Sequence, residues 1–285
     1  MRAFDPEVFD AVWEGLAALI PPIVDTHPLG CHRRRSSDRD CFEVMLVRLA
    51  TGCSWQDAEH LCGHRVSDTT VRSRRDEWIE AGVFDALVDE AIRSYDRIIG
   101  LVLDDVSVDG SLHKSPGGGE GTGKNPTDRG KLGWKWSILT DRAGIPIGWV
   151  IEGANRNDSI LLAPTLDEVA ERGLLCDCET IWLDRGYDSG LTRERLVARG
   201  IDDAMIAKKR RRGEAPGPVK NQPMGLRWPV ERTNSWLSNF GQLRRNTDRD
   251  SVRRLAQFAL AVVFLLAAKL IDWQKRWSPT PSPIR

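Results

Sequence analysis

The chain lacks a net charge. Its 285 residues carry 41 Lys and Arg against 41 Asp and Glu, which excludes a uniformly basic protein that holds a polyanion by overall charge alone. No Cys-x-x-Cys pair occurs among its six cysteines, at 31, 41, 53, 62, 176 and 178, so no finger-type zinc spacing applies. Cys53, His60, Cys62 and His64 still cluster, and a structural zinc and a set of buried thiols both remain open there. Long apolar runs are missing as well. The longest, Phe258 to Ala268, is too short for a bilayer and is followed by Lys269 and Asp272; it reads as a buried core helix, with no membrane partner expected. The first residues, Met1-Arg2-Ala3-Phe4-Asp5-Pro6-Glu7, do not resemble a signal peptide. The expectation is a cytoplasmic protein whose cysteines stay reduced.

What is present is unevenly spread. From Met205 to Arg285 there are 17 Lys and Arg against 5 Asp and Glu, so the last third is basic and the rest acidic, as in chains with a nucleic-acid contact surface. The densest stretch is Lys208-Lys209-Arg210-Arg211-Arg212, read as a DNA backbone contact or as a solvated linker. A charged fraction of 29% and an aromatic fraction of 7% fit a globular chain with a sizeable core.

Periodicity divides the chain. Residues 5 to 20 and 38 to 100 read as helices, with stops at Gly52, Gly63 and Gly82 and capping residues at Ser54 and Ser67. Two short helices, a glycine turn and a third helix resemble a helix-turn-helix, in which Thr69, Thr70, Arg72, Arg74 and Arg75 would reach a major groove; the alternative is a packing domain with a solvated face. From Leu101 the pattern alternates. Strands are expected at 101–109, 132–141 and 145–152, the last two joined by a tight turn at Arg142-Ala143-Gly144. Helix at 160–172, strand at 180–184, helix at 191–199 and strand at 203–208 follow. A helix carrying Glu231 and an apolar helix near 251–271 come last. The fold class is therefore α/β, a mixed sheet with helices on both faces, preceded by an all-helical domain. The expected boundaries are 1–100, 101–277 and an unstructured tail at 278–285.

Gly118 to Lys124 fits the phosphate-loop pattern GxxxxGK, but Asn125 stands where Ser or Thr must hold Mg2+, and Pro126 and Gly130 leave no helix to follow. A flexible glycine-rich loop carrying His113, Lys114, Lys124, Arg129 and Lys131 is the better reading, able to clamp a DNA backbone.

Three acids stand at element ends. Asp109 closes the first strand before Gly110, Asp184 closes a later one before Arg185-Gly186, and Glu231 lies in a first helical turn marked by Pro229. Asp105 and Asp188 are weaker substitutes. Each alone is commonly a turn former or cap. Together, two strand-end aspartates and a helical glutamate can converge on a pair of divalent cations, which suits phosphodiester chemistry.

With Asp-Arg-Gly-Tyr-Asp-Ser at 184–189, Arg-x-x-x-Glu-Arg at 227–232, Asp109-Gly110-Ser111 and Asn155-Arg156-Asn157-Asp158-Ser159, the chain resembles the DDE transposases of bacterial insertion sequences, closest to the group named after insertion sequence five. The resemblance implies a ribonuclease-H-like catalytic domain. Asp109, Asp184 and Glu231 would be its catalytic and metal-binding triad, holding two Mg2+ or Mn2+ ions. Tyr187, Arg227 and Arg232 would support the triad. Related groups carry a lysine where Ser238 stands, so Arg244 or Arg245 must grip phosphate instead, or that grip is absent. The implied partners are double-stranded DNA, as terminal inverted repeats and target, and a second protomer or more at synapsis, acting at the nucleoid. A metal-dependent nuclease and a non-catalytic DNA-binding regulator derived from a transposase are the competing readings.

Overall fold

A computed structural model describes residues 3–22, 35–207 and 227–277. The chain divides into two units, one formed by Met1–Gly100 with Phe240–Leu243 and the residues from Val252 onward, the other by Leu101–Asn239 with Arg244–Ser251.

The first unit begins with five helices: α1 (Pro6–Leu19), α2 (Asp38–Thr51), α3 (Trp55–Leu61), α4 (Asp68–Glu80) and α5 (Val83–Ile98). Their starts follow the expected chemistry. Ser37, Ser54 and Ser67 each accept a backbone N–H of the first turn, satisfying donors that the helix cannot. Gly52 ends α2 at φ +78° and lies so close to Gly241 that a Cβ there would meet backbone carbon at 2.9 Å, so both conformation and space require glycine.

The second unit carries a mixed sheet made of β1 (Asp105–Lys114), β2 (Gly123–Lys124), β3 (Leu132–Thr140), β4 (Pro146–Gly153), β5 (Thr180–Leu183) and β6 (Asp203–Ile206). β3 pairs antiparallel with β1 and β4, while β1–β5 and β5–β6 are parallel. Three antiparallel strands leading into parallel ones is the ribonuclease-H-like arrangement. The turn between β3 and β4 falls where expected, with Gly144 at φ +79°. Its helices are α6 (Asp158–Glu171), α7 (Gly190–Val197) and α8 (Trp228–Leu237), while the short α9 (Gly241–Arg244) falls, up to Leu243, in the first unit. Every residue of β3 from Gly133 to Thr140 is buried, as a strand covered on both faces must be.

Two expectations need correction. β1 does not stop at Asp109; it runs on through Gly110 to Lys114, paired with β3 throughout, so Asp109 sits mid-strand opposite Ile138. Gly110 marks a close approach, not a stop. A Cβ there would meet Asp158 Oδ1 at 2.3 Å.

The second correction concerns the last helix, α10 (Ser251–Trp277), expected in the catalytic segment. From Val252 it belongs to the first unit. Phe264 stacks on Phe42 with ring centroids 6.1 Å apart, and Arg253 pairs with Asp76 at 2.9 Å. Residues Ala256 to Phe264 are all buried, each larger side chain contributing roughly 1.5–3 kcal/mol. α10 is long and apolar enough to cross a membrane by length and composition, and a helix apolar on every side also suits a core position. The segment matching the phosphate loop forms no helix; Gly123 and Lys124 pair with β3 instead.

Candidate active site

The sheet register brings the two aspartates together. In the parallel β1–β5 pair Ser107 lies opposite Trp182, and two residues further that register sets Asp184 beside Asp109. Asp184 follows β5 directly and caps the 3-10 turn Arg185–Tyr187, its Oδ1 accepting the Gly186 N–H at 2.5 Å. Gly186 has no Cβ to crowd that carboxylate; one would stand 2.8 Å from Oδ1.

α8 supplies the third acid. Pro229 sits in its first turn and Glu231 projects from it, exposed, with Arg227 Nη2 3.5 Å from its Oε1. Burial pushes the Asp109 carboxyl up to about 6. The Gly110 N–H and the Arg227 guanidinium pull it down, and the charges of Asp184 and Glu231 push it up again. The charges of Asp184 and Glu231 therefore both act on Asp109, the kind of perturbation that clusters at functional sites.

Asn234 was not anticipated. One helical turn beyond Glu231, its Nδ2 donates to Asp109 Oδ2 at 3.0 Å while its Oδ1 accepts from the buried Trp136 indole at 2.7 Å. Its spacing of three from Glu231 was the only signal available. Tyr187 is buried beneath the site, and its hydroxyl pKa is driven well up by burial and then by Asp158, Asp109 and Asp184. Asp158 itself takes a 2.7 Å bond from the buried Lys135 ammonium. Asp105, the weaker substitute, is occupied by the Trp182 indole at 2.8 Å, and Asp188 by Arg193 at 2.8 Å.

In kind, this donor set fits a hard divalent cation: three carboxylates, one exposed and two at a sheet centre. Each is meanwhile held by a protein group, Asp109 by Asn234, Asp184 by Gly186 and Glu231 by Arg227. Among the described residues no three His, Cys, Asp or Glu side chains are drawn together as a metal-binding group. That covers Cys53, His60, Cys62 and His64 too. His60 Nδ1 and His64 Nε2 lie 3.0 Å apart, His64 Nδ1 contacts Glu59 at 3.0 Å, and burial raises the Cys62 thiol to about 11.

Several predicted basic contacts are placed elsewhere. Arg232 does not face the carboxylates. Its guanidinium lies between the rings of Trp228 and Trp236, 4.0 and 4.5 Å from their centroids, and donates to Ala143 O at 2.6 Å, tying α8 to the β3–β4 turn. Of the five α4 side chains expected to reach a groove, Thr69 and Arg72 are exposed and Thr70 is half-buried. Arg74 and Arg75 are 3% and 5% exposed, which removes them from any groove-reading set. They share the inward stripe Val71, Arg74, Arg75, Trp78; Arg74 pairs with Asp38 and Glu77, and Arg75 lies over the Trp55 ring at 5.2 Å. Ser238, in the position of the family's lysine, donates to Asn234 O at 2.6 Å. Lys114, Lys124, Lys131, Arg244 and Arg245 are exposed. Lys208, Lys209, Arg210, Arg211 and Arg212 lie outside the described residues, as does the tail from 278.

Comparison with known proteins bears on the same residues. A family model described as transposase DDE domain matches residues 101–266, and one for transposases of the IS4/5 family matches residues 8–88. The transposase described for insertion sequence element IS402 of Burkholderia cepacia is 38% identical over 133 residues, 45% of this chain and 60% of that one. This chain thus spans about 60% of the curated relative's length. Among solved structures, the piggyBac transposase synaptic complex with hairpin DNA gives a TM-score of 0.44 at 11% identity, over 98% of this chain and 76% of that one. A pre-cleavage Mos1 transpososome gives 0.31 at 10%, over 90% and 83%. Likenesses that distant carry no argument about this chain. The DDE match, spanning more than half of the 285 residues and containing Asp109, Asp184 and Glu231, does: the chain belongs to the transposase DDE domain family.

Proposed function

We propose that this protein is an insertion-sequence transposase that cuts DNA at the element's ends and joins the freed 3′-hydroxyls to target DNA. The observation that carries the proposal is that Asp109, Asp184 and Glu231 all lie in the matched domain, where the other two charges act on a buried Asp109. The family is divalent-metal dependent. Asp109, Asp184 and Glu231 are the residues that would hold two Mg2+ or Mn2+ ions, which when bound activate the attacking oxygen and stabilise the leaving one.

The protein's own groups then have separable tasks. Asn234 fixes the Asp109 carboxylate, and Arg227, paired with Glu231 one turn along, offers a cation to a phosphate oxygen. Lys135 anchors Asp158 beside Gly110, and the buried Tyr187 closes the floor. Transfer is direct, from hydroxyl to phosphodiester, so no protein nucleophile is required. End recognition is assigned to the helical region 1–100, with Thr69, Thr70 and Arg72 as its candidate readers and at least two protomers joining two ends.

The test is cleavage of a duplex carrying the element's own terminal repeats, read at nucleotide resolution, with Glu231→Ala alongside. Expected are cuts at the repeat boundary that need Mg2+ or Mn2+ and fall roughly 10³-fold or more in the variant. Binding without cleavage in either protein would overturn the catalytic reading in favour of a regulator.

A further inference from the structure

At the far end of β1 from the turn that precedes it lies a groove that the carboxylate site does not use. It has a volume of about 290 Å³ and is lined by Lys114, Pro116, Lys131, Leu132 and Arg245. Three of these five are cations and none is an acid; Asp128, 4.0 Å from Lys131, is the nearest counter-charge. No described side chain pairs with Lys114 or Arg245.

The groove is built, not incidental. The backbone at Lys114 bridges to Arg245 in parallel, and the Asn246 N–H donates to Lys114 O at 2.9 Å. Asn246 is fully buried and its Oδ1 accepts the Asp248 N–H at 2.9 Å, which locks the turn after Arg245. On the other wall Ser115 is buried and its N–H donates to Leu132 O at 3.1 Å. The glycine-rich segment is fastened to the same turn: Glu120 N–H donates to Arg249 O at 2.8 Å, and a Cβ at Gly119 would meet that oxygen at 2.2 Å. Two ordered backbones thus hold Lys114 and Arg245 over an apolar floor of Pro116 and Leu132.

We propose that this groove binds a backbone phosphate of the DNA that is cut at the carboxylates, a contact that positions the strand without reading its sequence. The inference rests on the transposase reading above. Cations answer the phosphate, and the apolar floor suits the sugar beside it. The chemistry also sets a distance. Lys114 is five residues beyond Asp109 on β1, which at about 3.3 Å per residue is roughly 17 Å. Duplex DNA advances about 3.4 Å per nucleotide. A duplex laid along β1 therefore presents to the groove a phosphate about five base pairs along the axis from the cut and, since that is about half a helical turn, one on the complementary strand.

The experiment compares wild-type full-length chain with Lys114→Ala/Arg245→Ala, and with the charge-keeping Lys114→Arg/Arg245→Lys. Duplexes carry a neutral methylphosphonate at each position in turn. Removing both cations should lower the slope of log affinity against log salt by about one per residue, equally for repeat and unrelated sequences. The charge-keeping pair should restore the slope. A methylphosphonate on the complementary strand about five base pairs from the cut should weaken wild type as the double Ala variant does, and should weaken that variant no further. An unchanged salt slope, or equal losses in variant and wild type at every methylphosphonate position, would overturn the assignment. So would competition by inorganic phosphate with no effect on duplex binding, which marks a site for free anions. A wild type that shows the groove dependence yet never cleaves keeps the groove and overturns the catalytic reading, so the two claims fail separately.

Discussion

The two units use charge in opposite ways. In the helical unit, buried charges are matched. Arg74 meets Asp38 and Glu77, Asp76 is shared by Arg75 and Arg253, and burial pulls the Arg74 pKa down without leaving it alone. In the sheet unit, the charges of Asp184 and Glu231 both push on Asp109, and Arg227 is the cation that acts on it. Matched charge is what a scaffold keeps, because an unpaired buried ion costs several kcal/mol. Like charges crowded together are a cost that stability alone would remove, and they persist where a ligand of opposite sign is to be held.

The largest effect should come from unmatching the scaffold. Arg74→Ala is expected to destabilise the helical unit by about 3 kcal/mol, at the lower end for broken buried pairs because Asp38 and Glu77 keep some water. Arg74→Met, which keeps bulk without charge, should cost less than Arg74→Ala. Urea unfolding followed by circular dichroism measures both. If Arg74→Ala unfolds at the wild-type midpoint, the pairing is ornamental and the contrast between the units collapses.

Relieving the crowded site should work the other way. Folded Asp109 titrates near 6, above the carboxylate value of 3.8. The folded state therefore binds the extra proton between those values, and stability falls as pH rises through that window. At pH 7 the deficit is nearly complete, on the order of 3 kcal/mol. Asp109→Asn should therefore raise the unfolding midpoint at pH 7 and lose that advantage as the pH drops below 4, while abolishing cleavage. A variant less stable than wild type at pH 7 would mean that the Asp109 charge is compensated after all.

How far such contrasts could be read beforehand depends on what sets each feature. Asp184 and Glu231 were legible because their placement is local: a strand end before Arg185-Gly186, a helix start marked by Pro229. The turn at Gly144 was legible for the same reason. The placement of Asp109 at a strand end was misread, since Gly110 looks like a strand stop and is instead the clearance for Asp158 from another element. Arg74 and Arg75 were misjudged by counting charge over periodicity, for Val71 and Trp78 already marked their face as inward. The partner of α10 was not legible at all, because a helix apolar on every side names no neighbour.

The smallest predicted shift tests the finest part of the contrast, the orientation of one amide. An indole N–H can only donate, so Trp136 requires the Asn234 oxygen on its side, and the NH2 group must then face Asp109. A donor aimed at Asp109 favours its charged form and partly offsets the crowding around it. Asn234→Asp keeps the acceptor for Trp136 but turns that donor into a fourth like charge. The acid limb of the pH–cleavage profile should move up by about one unit, equivalent to roughly 1.4 kcal/mol, with cleavage recovered at higher pH. Asn234→Ala should move the limb less, since it removes the donor without adding charge. A loss of activity that is the same at every pH would assign Asn234 to packing alone, and Asp109 would then owe its ionisation to Arg227 and the Gly110 N–H.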